Sequence, residues 1–319
     1  MKKNFWQELK KRKKPILALA PLAGITDSPF RQICKDFGAE VVYSEMASAT
    51  ALVYAPKKTL DLIKFKNKER PYVVQLFGAC PDHFQIAIKL IEKKLKPDGI
   101  DINFGCPVSK VMKQGAGAEL MKNLALSREI ILAVLKSATC PISIKTRTLA
   151  GNIRLLKFLK NISDLKISAL MIHGRTLSQG FSGPINFKII KQARCYFSGI
   201  ILANGGIKNC LDGREMIKKT QADGLGIGRG ALGRPWIFQE LSKPDYQTPE
   251  KKEIFKLALK QANLIEKTNG KQGIMEMRKH LCWYIQGLPN ASKLRKKLTQ
   301  VKTKEEIKNI FIEFEQNKI

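Results

Sequence analysis

Short apolar runs recur along the first part of the chain, and most are followed by a longer segment with helical spacing. Eight runs have the length and β-branched content of buried strands: Ile16–Ala20, Val41–Ser44, Tyr72–Phe77, Gly99–Asn103, Ile142–Thr146, Ala169–His173, Ile200–Asn204 and Gly224–Gly228. Helical spacing is clear in Pro81–Leu95 and in Ser127–Lys136, where Ser127 is the expected N-cap. Eight strand–helix units in roughly 230 residues predict an α/β fold, a (β/α)8 or TIM barrel.

The pattern changes after Leu241. Residues 242–250 contain two prolines and are typical of a linker. Strand signals are absent beyond it, and the spacing predicts three helices, Glu253–Thr268, Ile274–Gln286 and Lys304–Gln316. We therefore predict two domains, a catalytic barrel over residues 1–241 and a small helical bundle over residues 242–319.

Net charge, hydropathy and the numbers of cysteines and histidines narrow the classes of protein to which the chain could belong. Lys and Arg number 57 against 27 Asp and Glu, a net charge of +30 that would attract nucleic acid. A lysine-rich proteome would give the same excess without any function. No apolar run has membrane-spanning length and no secretory signal is visible, so we expect a cytoplasmic protein without membrane contact. The seven cysteines include no CxxC pair and only three histidines are present, so we expect no disulfide framework and no metal site.

Polar residues or glycines end at least six of the eight predicted strands, at the end of the barrel where active sites lie. A buried polar group without a partner costs a few kcal/mol, so a purely structural barrel would not need them. Glycines cluster around Asn204-Gly205-Gly206 and around Gly228-Arg229-Gly230, where barrels hold phosphates. Gly228 to Gly233 also fits GxGxxG, but no second strand with an acidic residue follows, which disfavours a dinucleotide-binding fold.

Single side chains at these strand ends have both chemical and structural interpretations. Lys145 could stabilise an anionic flavin, form a Schiff base or pair with Glu45 or Asp101. His173 could be a strand-end histidine satisfied by hydrogen bonds, and Gln75 could contact a flavin or tie two strands together. Cys106 follows the fourth strand in an electropositive, Gly- and Pro-rich loop that we expect to be exposed, where a thiol can donate a proton. Free cysteines are otherwise usually small buried hydrophobes.

Taken together, these segments resemble the tRNA-dihydrouridine synthase family of bacterial type. The resemblance covers most of residues 16–240, and its most specific part is NFGCP followed by KxGAG within residues 103–117. The other matching stretches are APLAGITDSPFR (20–31), VVQLFG (73–78), IKTR (144–147), IHGRTLSQGFSG (172–183), ILANGGI (201–207), GIGRGALGRPWIF (226–238) and RKHLCWYIQGLPNA (278–291).

The resemblance implies an oxidoreductase that uses FMN and NADPH to reduce the C5–C6 double bond of a uridine in the D loop of tRNA. It implies hydride transfer from flavin N5 to C6, a proton for C5 from Cys106 and a tRNA-binding role for residues 242–319. Separately, we expect a monomer. The implied FMN contacts are Pro21, Leu22, Ala23, Gln75, Lys145, His173, Asn204, Gly205, Gly206, Gly228 and Arg229. The implied tRNA contacts are Asn103, Lys113, Arg147, Arg175 and Gln179.

Two positions depart from the family pattern. Leu22 stands where Met is common, a volume-conserving change, and Gly206 stands where Asp is common, which removes a carboxylate near the phosphate site. Two alternatives stay open at this point. One is a flavin barrel acting on a free small molecule, such as a dihydroorotate or dihydropyrimidine dehydrogenase, and the other is an RNA-binding barrel without catalysis.

Overall fold

The computed structural model describes residues 4–243 and 245–316, and a closed barrel of eight parallel strands dominates it. The strands are β1 Ile16–Leu19, β2 Val41–Ser48, β3 Tyr72–Phe77, β4 Gly99–Asn103, β5 Ile142–Arg147, β6 Leu149–Ala150, β7 Ile153–Arg154, β8 Ala169–His173, β9 Ile200–Asn204 and β10 Gly224–Ile227. The barrel closes in the order β1-β2-β3-β4-β5-β8-β9-β10, and β10 pairs back with β1. The predicted TIM barrel is therefore confirmed. The two-residue strands β6 and β7 form an antiparallel hairpin after β5 that the sequence did not predict.

Helices surround the barrel and continue beyond it. They are α1 Phe5–Lys11, α2 Ser28–Asp36, α3 Ala49–Tyr54, α4 Pro56–Leu62, α5 Pro81–Lys94, α6 Ser109–Met112, α7 Ala118–Lys122, α8 Leu124–Ser137, α9 Leu155–Asn161, α10 Phe187–Gln192, α11 Cys210–Thr220, α12 Ile237–Ser242, α13 Lys251–Tyr284, α14 Ala291–Leu298 and α15 Lys304–Glu315. The predicted N-cap of α8 is wrong. Asn123 caps this helix by accepting the Leu126 N–H at 3.1 Å, whereas Ser127 lies inside the helix and donates its hydroxyl to the Leu120 carbonyl.

Helix α1 closes the N-terminal end of the barrel. Its Trp6 is 1% exposed and packs in one cluster with residues near the starts of strands, among them Ile16, Val41 and Ala169. A bulky indole at this position fills the space between the diverging strand starts. Helix α1 does not cover the opposite end of the barrel, where the strands finish.

The C-terminal helices form a bundle that shares its core with the barrel. Phe255 of α13 stacks on Phe311 of α15 with ring centroids 4.1 Å apart, and Ile33 and Trp236 from the barrel belong to the same apolar cluster. Gly270 breaks the helical geometry of α13 with φ 58° and ψ −145°, between the two helices that the sequence predicted there. The helical bundle is thereby confirmed, although α14 was not predicted. The division between residues 241 and 242 stays a prediction.

No helix in the described ranges is long and apolar enough to cross a lipid bilayer.

Candidate active site

A cavity of about 1300 Å³ opens at the C-terminal ends of the barrel strands. It brings together nearly all the residues that the sequence singled out. Those lining it are Pro21, Leu22, Ala23, Gln75, Asn103, Cys106, Lys145, Arg147, His173, Arg175, Asn204, Gly205, Gly206, Gly228 and Arg229. Residues from five strands, β3, β4, β5, β8 and β9, and from the loops after β1, β4, β8, β9 and β10 thus converge on one chamber.

Two of the predicted residues lie outside the cavity lining. Lys113 is exposed directly after α6. Gln179 is bound within its own loop, where its Oε1 accepts the Thr176 N–H at 2.9 Å. Their contacts with RNA stay predictions.

Cys106 sits in a loop that the last residue of β4 holds in place. The Asn103 Oδ1 accepts the backbone N–H groups of Gly105 and Cys106 at 3.0 and 2.9 Å. Cys106 is only 9% exposed, so it is more buried than the sequence suggested, yet it lines the cavity. Burial raises the pKa of the thiol, although Lys145 and Arg147 act in the opposite direction. The thiol therefore keeps its proton at neutral pH and is available as a donor.

Six of the described residues that line the same cavity are cationic. Two are Lys208 and Arg234, and the other four are Lys145, Arg147, Arg175 and Arg229. Burial, followed by repulsion from Arg147, lowers the pKa of Lys145 to about 8. Burial and neighbouring guanidinium groups also lower the pKa of Arg147 and of Arg175. Within residues 4–243 and 245–316 none of the four belongs to an ion pair, so the salt bridge considered for Lys145 is not found. Such a cluster favours an anionic ligand.

His173 ends β8 as a neutral imidazole. Its Nδ1 accepts the Arg175 backbone N–H at 3.3 Å, so the proton of the neutral ring belongs on Nε2. Burial and then the nearby cations, Lys145 first among them, lower the pKa of His173 to about 2. A Cβ placed on Gly205 would lie 3.2 Å from Nε2, so this donor is next to the glycine loop after β9.

The loop after β9 uses glycines at two successive positions with positive φ, Gly205 at 107° and Gly206 at 75°. A Cβ on Gly205 would also come within 3.1 Å of Ile185. Asn204 ties the loop to the neighbouring strand by donating from Nδ2 to the Gly226 carbonyl at 2.6 Å. Backbone free of side chains beside a cluster of cations fits a phosphate group.

The loop after β10 completes this part of the cavity. Gly228 is followed by one 3-10 turn, Arg229–Ala231, and then by the short helix α12, which excludes a dinucleotide-binding βαβ unit here. The Arg229 guanidinium stacks over the Phe181 ring at 4.2 Å. Phe181, which the sequence analysis did not single out, is 53% exposed.

Two of the predicted ligand contacts also hold the protein itself together. Gln75 donates from Nε2 to Asp101 at 2.7 Å and accepts from Asn103 at 2.8 Å, which ties β3 to β4. Arg147 donates from Nε to the Gly105 carbonyl at 2.8 Å and so braces the loop that carries the thiol.

The C-terminal helices contribute a wall that sequence reasoning missed. Trp283, Gln286 and Leu288 line the cavity from the end of α13 and the segment after it, together with Trp236. Helical spacing alone cannot separate such positions from core positions of the bundle. Only the packing of α13 on the barrel brings them to the cavity.

Comparison with known proteins identifies the family. The model described as dihydrouridine synthase (Dus) matches residues 18–318. The chain belongs to the dihydrouridine synthase family. It is 32% identical over 287 residues to the "Probable tRNA-dihydrouridine synthase" of Aquifex aeolicus, covering 89% of this chain and 90% of that one. It is 36% identical over 281 residues to "tRNA-dihydrouridine synthase B" of Pasteurella multocida, covering 85% and 84%. The family resemblance found in the sequence, and the enzyme class that it implies, are confirmed.

Solved structures support the fold. An old yellow enzyme homologue from Zymomonas mobilis superposes with a TM-score of 0.51 at 12% identity, covering 75% of this chain and 91% of that one. Morphinone reductase in complex with tetrahydroNAD superposes with a TM-score of 0.52 at 10% identity, covering 75% and 90%. At such low identity the likeness establishes the barrel and nothing finer.

Proposed function

We propose that this chain reduces the C5–C6 double bond of a uridine in the D loop of tRNA to dihydrouridine, with FMN as cofactor and NADPH as reductant. The observation that carries the proposal is the placement of a protonated Cys106 thiol in one cavity with Lys145 and the glycine loops after β9 and β10. Family membership and the names of the relatives support the substrate.

The residues that would bind FMN divide into those for its phosphate and those for its ring. The glycine loops, Asn204 and Arg229 would hold the FMN phosphate, and the positive φ values of Gly205 and Gly206 leave room for it. Lys145 and the Nε2–H of His173 would donate to the polar edge of the isoalloxazine ring. The loop after β1 would pack on the ring through Pro21, Leu22 and Ala23, with Gln75 nearby.

Cys106 would deliver the proton. Bound FMN would supply the hydride that goes to C6 of the uracil, after taking it from NADPH. Cys106 would give its thiol proton to C5, and the resulting thiolate would be stabilised by the neighbouring Lys145 and Arg147 until solvent returns the proton. Because burial keeps the thiol protonated, the donor is in its active form before substrate arrives.

The helical bundle over residues 242–319 would bind the tRNA. Its Trp283 and Gln286 form part of the cavity wall, so an RNA segment bound to the bundle lies beside the site. A uridine in folded RNA must swing out to reach a barrel mouth, which costs a few kcal/mol. Phosphate contacts from a chain with a net charge of +30 would offset that cost.

Replacing Cys106 with alanine tests the proposal. We expect Cys106→Ala to retain FMN and to be reduced by NADPH, because the thiol takes no part in either step, but to lose most uridine reduction on unmodified tRNA. The matched control is Cys80→Ala, a cysteine after β3 that lies outside the cavity lining. Normal dihydrouridine formation by Cys106→Ala would refute the proton-donor role. Turnover of free uracil without any effect of tRNA would favour a small-molecule dehydrogenase.

A further inference from the structure

A continuous chain of hydrogen bonds runs from the buried Asp101 through two cavity-lining residues, Gln75 and Asn103, to the backbone of Cys106. Ser143 Oγ donates to Asp101 at 2.5 Å, and Gln75 Nε2 donates to the other carboxylate oxygen at 2.7 Å. Asn103 Nδ2 donates to Gln75 Oε1 at 2.8 Å, and Asn103 Oδ1 accepts the Cys106 N–H at 2.9 Å. All four side chains are buried, and Asp101 is fully so. We call Asp101, Gln75 and Asn103 the amide chain.

The two ends of the amide chain fix its direction. An ionised carboxylate only accepts hydrogen bonds, and a backbone N–H only donates. Each amide between them has one donor end and one acceptor end. Only one orientation satisfies every bond, in which Gln75 turns its Nε2 to Asp101 and Asn103 turns its Oδ1 to Cys106. Amide orientation is often ambiguous, but here both ends define it.

We propose that Asp101 is a positioning residue for the proposed reaction, which orients Gln75 and through it Asn103, and so holds the loop that carries Cys106. Asp101 does not line the cavity, so it acts through the other residues and touches neither cofactor nor substrate. This inference rests on the proposed function in assigning a catalytic purpose to the loop.

The identity of residue 101 supports this role. A fully buried carboxylate is costly, and an apolar side chain in the same place would often be more stable. Burial raises the pKa of Asp101 to about 6, although hydrogen bonds from Ser143 and Gln75 act in the opposite direction. The carboxylate at residue 101 fixes the orientation of the Gln75 amide by accepting from its Nε2. With Leu or Val at residue 101 the amide could flip and exchange its donor and acceptor ends.

The test uses the reactivity of Cys106 in the full-length, FMN-loaded protein. Iodoacetamide alkylation is followed at the Cys106 peptide by mass spectrometry across a range of pH, for Asp101→Leu, Asp101→Asn and Ser143→Ala. Asp101→Asn keeps an oxygen that can accept from Gln75. Ser143→Ala removes the other hydrogen bond to the same carboxylate but leaves the amide chain intact, so it controls for a general loss of buried bonds.

We expect Asp101→Leu to alkylate Cys106 about tenfold faster, because the loop loses the order that one buried hydrogen bond supplies. Asp101→Asn and Ser143→Ala should stay within about twofold of the parent. The proposal is overturned if Asp101→Leu reacts at or below the parent rate. It is equally overturned if Asp101→Asn or Ser143→Ala reacts as fast as Asp101→Leu.

A second variant keeps the test decisive if Asp101→Leu does not fold. Gln75→Met breaks the amide chain while Asp101 remains, and it should also accelerate alkylation; no acceleration would overturn the proposal. The readout needs no tRNA, so it separates the two ideas. If Cys106→Ala still makes dihydrouridine, the proposed function fails, while the alkylation pattern still decides whether Asp101 orders the loop.

Discussion

Replacement of His280 would test whether this imidazole, which is fully buried where the bundle meets the barrel, is held neutral by the fold. Its ring centroid lies 5.2 Å from that of Phe30 in α2 and 5.1 Å from that of Trp283. Neither ring nitrogen has a hydrogen-bond partner in the part of the chain that the structure describes. Burial, with a smaller effect of Lys279, lowers the pKa of His280 to about 3.

The magnitude follows from proton linkage. In an unfolded chain a histidine has a pKa of about 6.5, so at acid pH the unfolded state binds a proton that the folded state excludes. The stability that neutral His280 contributes is present above about pH 6.5 and is lost as the pH falls toward its folded value. From about pH 7.5 to about pH 5 the loss is about 2 kcal/mol. For a chain of this length that corresponds to about 3 °C in melting temperature.

The assay compares the parent with His280→Leu and His280→Gln by urea unfolding at the two pH values. Both variants lack the titrating ring, so each should lose about 2 kcal/mol less than the parent on acidification, whatever its packing cost at neutral pH. Other groups with a shifted pKa contribute equally to the acid response of all three proteins, so they cancel in the comparison. They include Asp27 and Asp101, whose raised pKa values of about 6 favour the folded state at acid pH. An equal acid loss in all three proteins would refute a neutral, solvent-excluded His280.

Two further predictions concern ligands. Lys145 should lose its charge above about pH 8, so FMN binding by the parent, followed by flavin fluorescence, should weaken there. Lys145→Met should bind FMN more weakly and lack this step, and a step that persists in the variant would assign it to another group. Charge reversal at the exposed Lys293 and Lys296 of α14 should weaken tRNA binding and reduce its salt dependence without changing FMN affinity. Lys93→Glu, near the N-terminal end of the barrel, is the control, and an equal loss of tRNA affinity there would argue against a tRNA-binding bundle.

The sequence predicted the barrel and many of the polar and glycine residues that line the cavity, because both depend on local patterns. Most of the barrel strands are short apolar runs, and β4, β5, β8, β9 and β10 end in, or are followed directly by, Asn, Lys, Arg, His or Gly; the fold places these ends together. Knowing that the strands form a parallel barrel is then enough to bring Asn103, Lys145, His173 and Asn204 to one cavity. No knowledge of side-chain packing is required for that step.

The features that the sequence missed depend on contacts between distant segments or on a choice between equal local signals. Trp6 fills the barrel base, and Trp283 lines the cavity, only because their helices dock on the barrel. Both Asn123 and Ser127 can cap a helix, and in the structure Asn123 does so while the Ser127 hydroxyl donates to the Leu120 carbonyl. The burial of Cys106 likewise follows from the way that Asn103 folds the loop back.

The placement of charge around the cavity leaves four of its lining cations, Lys145, Arg147, Arg175 and Arg229, without a salt bridge among the described residues, although the buried Asp101 is close enough to act on Lys145. Burial and repulsion from Arg147 lower the pKa of Lys145. A carboxylate paired with this amine would raise the pKa again, but it would compete with any anionic ligand. Asp101 is instead bound by Ser143 and Gln75, and it forms no ion pair within the described ranges. The lining therefore keeps its excess positive charge available to an anionic ligand, at the expense of stability in the unliganded protein.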